Sequence, residues 1–540
     1  MRTGVAVVEL LQAYSVDQVF GIPGTHSIEL YRGLSKSAIR HTLPRHEQGA
    51  GFMADGYARY TGKPGVCFVI TGAGVTNIAT PMAQAYSDSI PMLVISPVND
   101  LSAGQAEEAS DGVLPVNQGR LHELTNQAAV TRPFTAFSET ATSAEHVAEL
   151  IRDAFRVFES ERPRPVHISI PLSILRAETA GGWQRAPSSV PEAIDPAVID
   201  DISASLAAAE RPVIVAGGGC RHFGEVIITL AEKIPAAVIT TVAGRGIIQG
   251  THPLYPGAQP AVASTRELLE TSDFVLAIGT EMAETDFWDM PPPLPARQVW
   301  INLDPNVPYE TVSDSHESMT VVADAQPLVL QISAKLDDPT VAATRAAQQR
   351  VKSFRDRHGE SFTAIQKKHW RVLTELRKHL AHDVVVTSDM TQLAYTACEH
   401  LPLQTPNSWF HPLGYGTLGY ALPAAIGIKC ARKEVPVLVI VGDAGFQYTA
   451  AELAVAAEHD LNIVVLLWNN DALQQIADDM TGAEIELQAV HQQNPDFDLL
   501  TRSLGAEYQL VNGLSALGTA LEQAFVADGP TVLELQQSRV

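Results

Sequence analysis

Short runs of apolar, mostly β-branched residues recur along the chain, and helical patterns separate them. Continuous apolar strands of this kind are buried on both faces, as in parallel sheets that are covered by helices. The runs lie at residues 66–71, 92–96, 212–216, 237–241, 274–278, 435–441 and 462–467. The pattern therefore predicts an α/β fold built from doubly wound parallel sheets.

The length of 540 residues is too great for a single hydrophobic core. A typical size of about 150 residues per domain suggests roughly three domains. Two stretches interrupt the alternation of strands and helices, one at 176–195 and one at 325–350, and the first is rich in Ala, Gly, Ser and Pro. We therefore predict three domains, at residues 1–180, 190–330 and 345–540.

Composition and charge narrow the class of protein. Apolar residues make up 46% and charged residues 18%, which is typical of a soluble globular protein. The net charge of -24 disfavours nucleic acid as a partner, because the phosphate backbone requires clustered Lys and Arg. No apolar run approaches the ~20 residues of a membrane span, the first residues lack a signal-peptide pattern, and the four cysteines form no CxxC pair. We expect a cytoplasmic protein that binds a small molecule, with no nucleic acid and no membrane as partner.

Two 32-residue segments, at 69–100 and 440–471, follow the same pattern. Each reads as a strand, a Gly-rich turn, an Ala-rich helix and a strand that ends in Asn-Asp. Duplication of one βαβ unit explains the similarity economically, and chance similarity between two ordinary βαβ units is the alternative. Two related domains in one chain suggest a ligand that both domains contact.

The second of these segments carries a candidate metal and phosphate site. Gly442 and Asp443 follow one strand and Asn470 follows the next, so they are expected at the same edge of a parallel sheet, where α/β proteins bind ligands. Carboxylate, amide and backbone carbonyl oxygens suit Mg²⁺; the candidate ligands are Asp443, Asn470 and the carbonyl of Ala472. Backbone amides near a helix start can hold a diphosphate; those candidates are Ala444 and Gly445, and Gly442 is a further candidate for binding the cofactor. The alternative is an ordinary βαβ turn in which Asp and Asn are caps.

The 27 positions from Asp443 to Asn470 resemble the GDG to NN signature of thiamine-diphosphate enzymes. One departure is Ala444, where many members have Gly. The segment HPLGYGTLGYALPAAIGIK is similar to a second family motif. The resemblance implies that the Gly416 carbonyl holds the amino group of the cofactor and that Leu418 is the apolar wedge that bends it. Thiamine diphosphate and Mg²⁺ are therefore the expected cofactors.

Glu47 is an acid among apolar neighbours at the start of a predicted helix. In the family, a carboxyl group at this place is hydrogen-bonded to the pyrimidine ring of the cofactor, and the resemblance assigns this catalytic role to Glu47. A contact with the helix dipole is the structural alternative.

His26 lies in GIPGTHSIELY, in the loop where members of the family place a polar residue over the cofactor. It can titrate near neutrality, so it is a second catalytic candidate, although a loop His is often only structural. The weaker candidates are His46, His122 and His411.

The resemblance covers essentially the whole chain, through FGIPG, GAGVTN and PVIVAGGG as well as the motifs above, and it is to the acetolactate synthase and benzoylformate decarboxylase-like group. It implies a pyrimidine-binding, a central and a diphosphate-binding domain. It also implies a homodimer or homotetramer with active sites at the subunit interface. The central segment GTEMAETDFW departs from the GARFDDR of flavin-binding members, so FAD is not expected.

The resemblance implies decarboxylation of a 2-oxo acid to an aldehyde. PRHEQGAGFMADGYAR and GRLHELTNQ are most similar to 5-guanidino-2-oxopentanoate decarboxylases. An acetolactate synthase-like carboligase and a catalytically silent cofactor-binding subunit are the alternatives; the retained Glu47, Asp443 and Asn470 disfavour the silent subunit.

Acidic residues follow the metal loop, and they are candidates for binding a cationic substrate end. A carboxylate pairs well with a guanidinium group, so Asp478 and Asp479 are the candidate substrate residues. The alternative is that these two acids, with Glu484 and Glu486, form a solvated helix face.

Overall fold

The computed structural model describes residues 1–100, 118–187, 193–288, 292–307 and 318–540. These residues form three parallel sheets that are flanked by helices. The predicted fold class of three parallel-sheet α/β domains is confirmed. Part of the first predicted linker, residues 188–192, lies outside the described residues.

The first domain contains a six-stranded sheet of order β2-β1-β3-β4-β6-β5. Its strands are β1 Gln18–Gly21, β2 Arg40–Thr42, β3 Gly65–Phe68, β4 Met92–Val98, β5 Phe137–Thr140 and β6 Val166–Pro171. Its helices are α1 Thr3–Ala13, α2 Ile28–Leu34, α3 Glu47–Thr61, α4 Ala73–Asn77, α5 Ala79–Ser87, α6 Gln127–Thr131, α7 Ala144–Ser160 and α8 Leu172–Arg176. The central strands are buried along their length, which explains why they read as continuous apolar runs.

The middle domain contains a five-stranded sheet of order β11-β10-β9-β7-β8. Its strands are β7 Pro212–Ala216, β8 Ala237–Thr240, β9 Phe274–Ile278, β10 Gln298–Asn302 and β11 Ser318–Val322. Its helices are α9 Pro196–Ala208, α10 Gly224–Lys233, α11 Ala263–Glu270, α12 Glu284–Phe287 and α13 Ala325–Ala334. Helix α13 buries Leu328, Val329 and Ile332 in the middle core, so position 330 lies inside a packed helix. The predicted domain limits stay a prediction.

Helix α14 Val341–Asp356 leads into the third domain, whose six-stranded sheet has the order β13-β12-β14-β15-β17-β16. The strands are β12 Val385–Ser388, β13 Trp409–Phe410, β14 Val437–Gly442, β15 Val464–Asn469, β16 Glu507–Leu510 and β17 Thr531–Gln536. The helices are α15 Ala364–His379, α16 Gln392–His400, α17 Ala421–Ala431, α18 Asp443–Thr449, α19 Leu453–Glu458, α20 Gln474–Gly482, α21 Phe497–Ser503 and α22 Leu514–Phe525. Counted from its own first strand, this sheet repeats the strand order of the first, as duplication of a domain would produce.

The first and third domains share one apolar core, in which α3 packs against α17. The contact is so close that a Cβ on Gly56 would overlap the carbonyl oxygen of Ala424, and a Cβ on Gly427 would overlap that of Met53. A buried polar network crosses the same contact, because Tyr420 Oη donates to Asp55 Oδ1 at 2.7 Å. The small residues along α3 therefore serve to pack the two domains together.

None of the helices in the described ranges combines the length and the apolar character that a membrane span requires. All four cysteines are free thiols.

Candidate active site

The predicted metal segment lies at the carboxyl edge of the third sheet. Strands β14 and β15 are parallel neighbours that end together, with Gly442 paired to Trp468. Asp443 is the first residue of α18 and is 2% exposed. Asn470 follows β15 directly, so this edge brings the two predicted metal ligands together.

The Asn470 amide turns one terminal atom towards two oxygens at this edge. That atom lies 3.2 Å from Asp443 Oδ1 and 2.9 Å from the Ala472 carbonyl oxygen, and as Oδ1 it completes a cluster of three oxygens. Oxygens that share an octahedral Mg²⁺ ion at 2.0–2.1 Å are about 3 Å apart, so this donor set fits the ion. A rotation of the Asn470 amide by 180° would also relieve the repulsion, by turning Nδ2 towards both oxygens.

Sequence reasoning missed Asn494, which orients the carboxylate of Asp443. Asn494 Nδ2 donates to Asp443 Oδ2 at 2.7 Å and to Asp471 Oδ1 at 2.9 Å. Burial raises the pKa of Asp443, and the hydrogen bond from Asn494 opposes this shift. Since one oxygen of Asp443 is held by an amide, the other is directed at the oxygen cluster.

The predicted diphosphate turn is the first turn of α18. Ala444 and Gly445 lie there, where backbone N–H groups have no acceptor within the helix. A Cβ on Gly445 would lie 2.8 Å from Asp389 Oδ2 and 3.6 Å from Leu418 Cδ2. Asp389 is fully buried and accepts a hydrogen bond from Gly419 N at 2.7 Å; burial raises its pKa to about 7. Leu418 and the diphosphate turn are therefore neighbours.

The loop with Gly416 is fixed to the first domain. Gly414 N donates to Asp88 Oδ1 at 2.8 Å, and Thr417 Oγ1 donates to Gln84 Oε1 at 3.0 Å. Gly416 has a φ of 66°, which a glycine adopts without strain. The two anchors and the turn set the direction of the Gly416 carbonyl.

Glu47 begins α3 and is 8% exposed. Its Oε2 accepts a hydrogen bond from Asn77 Nδ2 at 3.0 Å. The N-cap of α3 is His46, whose Nδ1 accepts from Gln48 N at 3.1 Å. Since His46 caps the helix, the position of Glu47 is not explained by capping.

Glu452, a residue of the third domain that sequence reasoning missed, also binds the start of α3. Its carboxylate accepts from Arg45 N at 3.1 Å and from His46 N at 3.2 Å. Burial raises its pKa to about 7, although both backbone donors oppose the shift. Glu452 thus joins the segment after α18 to the helix that carries Glu47.

His26 follows β1 and contacts His122 edge to face, with ring centroids 5.6 Å apart. Its Nδ1 is buried and has no hydrogen-bond partner among the described residues. Burial, followed by the proximity of His122, lowers the pKa of His26. His411, another candidate, lies elsewhere: its Nδ1 is 2.8 Å from Ser388 Oγ, and burial lowers its pKa to about 3.

One chain holds two separate groups of predicted site residues. Glu47 and His26 belong to the first domain, whereas Asp443, Asn470 and Gly416 belong to the third. Each of the two domains thus carries one part of the predicted site, which is called a half-site below.

A cavity of about 720 Å³ adjoins the Gly416 loop. Asp478 lines this cavity, while Asp479 is exposed and accepts from Gln475 Nε2 at 3.0 Å without lining it. The other prominent lining side chains are Trp288, Gln392, Tyr395 and Glu399. Sequence reasoning missed these four because no local motif marks them.

Family models match three parts of the chain. They are the N-terminal TPP binding domain of thiamine pyrophosphate enzymes at residues 1–129, the central domain at 199–332 and the C-terminal TPP binding domain at 389–535. The chain belongs to the thiamine pyrophosphate enzymes. The family and the cofactor thiamine diphosphate (thiamine pyrophosphate, TPP) are thus confirmed as predicted.

Two kinds of curated protein are among the relatives of this thiamine pyrophosphate enzyme. A probable 2-ketoarginine decarboxylase of Pseudomonas aeruginosa is 46% identical over 100% of this chain and 94% of its own length. The acetolactate synthase isozyme 1 large subunit of Escherichia coli is 30% identical, over 86% of this chain and 81% of its own. A probable acetolactate synthase large subunit of Methanococcus aeolicus is 27% identical over 99% and 92%.

Proposed function

We propose that the protein is a thiamine-diphosphate- and Mg²⁺-dependent decarboxylase that converts a 2-oxo acid, 5-guanidino-2-oxopentanoate, to the aldehyde and carbon dioxide. The convergence of Asp443, Asn470 and the Ala472 carbonyl beside the first turn of α18 carries this proposal. The substrate rests on the relative that is named a probable 2-ketoarginine decarboxylase, which is 46% identical over the whole chain.

The third domain is proposed to hold the cofactor and its metal. Asp443, Asn470 and the Ala472 carbonyl would hold Mg²⁺, and the amides of the α18 turn would hold the diphosphate. Gly416 would hold the amino group of the cofactor through its carbonyl, and Leu418 would pack against the cofactor. When bound, thiamine diphosphate supplies a nucleophilic carbon and an acceptor for the electrons that remain when carbon dioxide leaves.

Metal binding does not require a cluster of charged side chains here. In the described part of the chain, no group of three His, Cys, Asp or Glu residues is arranged for a metal ion. The proposed site contains a single carboxylate, Asp443, and two neutral oxygens. Mg²⁺ accepts such a set because it keeps water and substrate phosphate oxygens as its other ligands.

The first domain is proposed to control protons. Glu47 Oε2 is occupied by Asn77, so Glu47 is expected to present Oε1 and its proton to the pyrimidine ring. His26 has a lowered pKa, so its neutral imidazole can accept a proton at the buried Nδ1 near neutral pH. Glu47 and His26 lie in the first domain, whereas the proposed metal ligands lie in the third.

A homodimer is proposed as the smallest active unit, either alone or paired into a tetramer, with active sites at the subunit interface. The division of the predicted site residues between two domains supports this arrangement, as does the interface site that the family resemblance implies. The first domain of one subunit would then face the third domain of its partner.

The proposed reaction is tested with protein reconstituted with thiamine diphosphate and Mg²⁺. A panel of 2-oxo acids is assayed for carbon dioxide, aldehyde and ligated products. We expect one carbon dioxide and one aldehyde per substrate, with the highest kcat/KM for 5-guanidino-2-oxopentanoate. Acetohydroxy acids as the main product would instead support carboligation, which the acetolactate synthase relatives favour. No turnover of any 2-oxo acid would refute both reactions and favour a silent subunit.

A further inference from the structure

A buried carboxylate of the third domain contacts the backbone just before α3. Glu452 ends a short 3-10 helix, Ala450–Glu452, that follows α18, and it is 1% exposed. Its Oε1 accepts from His46 N at 3.2 Å, and both of its oxygens lie 3.1 Å from Arg45 N. These two N–H groups precede the first turn of α3, so the helix itself offers them no acceptor. Glu452 therefore fixes the stretch of backbone that leads into Glu47.

The contact between Glu452 and α3 leaves no room for a side chain between them. A Cβ on Gly49 would lie 2.1 Å from Glu452 Oε1 and 2.6 Å from its Cδ. Both distances are shorter than a van der Waals contact, so a larger residue at position 49 would displace the carboxylate or the helix. Glycine is unfavourable inside a helix, and the close approach of this carboxylate gives a reason for its presence in α3.

The side chain of Glu47 is held separately, within the first domain. Its Oε2 accepts from Asn77 Nδ2 at 3.0 Å, and a Cβ on Gly74 would lie 3.4 Å from its Oε1. Helix α4 thus contacts the carboxyl end of Glu47, while Glu452 holds the backbone before it. Proton transfer by an acid depends on its position, and a displacement of about 1 Å can cost on the order of a hundredfold in rate. Loss of either contact is therefore expected to affect catalysis.

One segment of the third domain, residues 443–452, carries both the proposed metal ligand and Glu452. Asp443 begins α18 and Thr449 ends it. Thr449 Oγ1 donates to the Gly419 carbonyl oxygen at 2.9 Å, which connects the segment to the loop that contains Leu418. Each chain therefore links its metal half-site to its own Glu47. In the proposed dimer, these two half-sites belong to different active sites.

We propose that Glu452 is the positioning residue for Glu47 of its own chain, and that it thereby serves the active site to which the metal ligands of its own chain do not belong. Glu452 acts through the backbone of Arg45 and His46. The inference rests on the proposed function, because the position of Glu47 matters for catalysis only if Glu47 is the proposed acid. It also rests on the proposed interface site, which makes the two active sites distinct.

Substitutions at Glu452 in the homodimeric holoenzyme provide the first test. Glu452→Leu removes both acceptor oxygens and should lower kcat at least tenfold, while the affinity for thiamine diphosphate stays within about threefold. Glu452→Gln keeps one acceptor oxygen and should recover kcat to within about threefold of the wild type. Glu458→Gln is the matched control, because Glu458 pairs with the Arg45 guanidinium at 2.6 Å on the surface, where ion pairs contribute little. A wild-type kcat in Glu452→Leu, or a loss of cofactor affinity alone, would overturn the positioning role.

A mixed dimer separates positioning from a loss of stability. When a Glu47→Gln chain pairs with an Asp443→Ala chain, the intact site combines Glu47 of the second chain with Asp443 of the first. Glu452→Leu on the Asp443→Ala chain should lower carbon dioxide release at least tenfold relative to Glu452→Leu on the Glu47→Gln chain. Both dimers carry the same three substitutions, so lost stability alone would lower both alike. Equal activities, or the reverse order, would overturn the inference.

Hydrogen–deuterium exchange tests the contact without turnover. In the holoenzyme, the amides of Arg45 and His46 should exchange at least tenfold faster in Glu452→Leu than in the wild type, whereas the amides of α18 should stay within about twofold. If no 2-oxo acid is turned over but this difference appears, the proposed reaction fails and the placement of the α3 start by Glu452 stands. If the reaction proceeds and both mixed dimers are equally active, the reaction stands and the positioning role fails. A parent mixed dimer no more active than its two homodimers would overturn the assignment of Glu452 to the second active site.

Discussion

Complementation between two inactive variants offers the strongest test of the proposed active-site architecture. Glu47→Gln alters the half-site of the first domain, and Asp443→Ala removes the carboxylate from the half-site of the third. Gln at position 47 keeps an acceptor for Asn77 Nδ2, now 3.0 Å from Glu47 Oε2, so we expect the fold to persist. Asp443→Ala removes a hard-cation ligand and should abolish Mg²⁺-dependent cofactor binding. Each homodimer should therefore be inactive.

The expected activity of a heterodimer of the two variants follows from the twofold symmetry of the dimer. If each active site joins the first domain of one subunit to the third domain of the other, a heterodimer of the two variants has one site with both substitutions and one with neither. Its activity should be about half that of the wild-type dimer. If each site were built within one chain, both sites of the heterodimer would carry one substitution and activity would stay near that of the parents.

The assay uses coexpression with two different affinity tags, so that sequential purification isolates species that carry both chains. Carbon dioxide release is measured at saturating thiamine diphosphate and Mg²⁺, with doubly tagged wild-type protein as the standard. Activity of the heterodimer below about a tenth of that standard would refute the interface site, provided that circular dichroism and oligomeric mass match the wild type.

Three further predictions concern single properties. Glu47→Gln alone should lower kcat at least a hundredfold, about 2.7 kcal/mol in the barrier, because proton transfer by a positioned acid contributes on this order; activity within tenfold of wild type would contradict the role. The active protein should be colourless and need no flavin, and an absorbance band from stoichiometric FAD in a fully active preparation would show this prediction wrong. Burial raises the pKa of Glu452 from its usual value of 4.5 to about 7 in the folded protein. The free energy of unfolding that Glu452 contributes therefore falls as the pH rises from about 4.5 to 7. In urea unfolding across this range, Glu452→Gln should show a weaker decline in stability than the wild type.

The sequence predicts the fold class and the edge that carries the metal segment because both depend on local patterns. Buried strands read as continuous apolar runs, and Asp443 and Asn470 follow the ends of two such strands. Parallel neighbours place these ends at one edge. The strand order could not be predicted in the same way, since β12 lies between β13 and β14 for reasons of packing between distant segments.

Residues that act by distant contact were beyond sequence reasoning. Asn494 donates to Asp443 across 51 positions of sequence, and Glu452 accepts from Arg45 across 407 positions. Neither residue belongs to a sequence motif that indicates its partner. The residues of α16 that line the cavity were missed for a related reason. Gln392, Tyr395 and Glu399 have the spacing of any helix face, and only the cavity beside them distinguishes that face from a buried one.

The two halves of the chain share a strand order but differ in the chemistry at the equivalent edge. When the repeated segments are superposed in register, Gly72 stands at the place of Asp443, and Asn99 at that of Asn470. The first domain therefore lacks the carboxylate that Mg²⁺ requires, and Asn99 Nδ2 is engaged with the Leu121 carbonyl at 3.0 Å. In the same domain, Asn77 of the repeated segment instead holds Glu47, an acid that lies before that segment. Neither domain carries both the proposed metal ligands and the candidate acid Glu47, so a complete site requires the first domain and the third. The heterodimer experiment tests whether these two domains come from different chains.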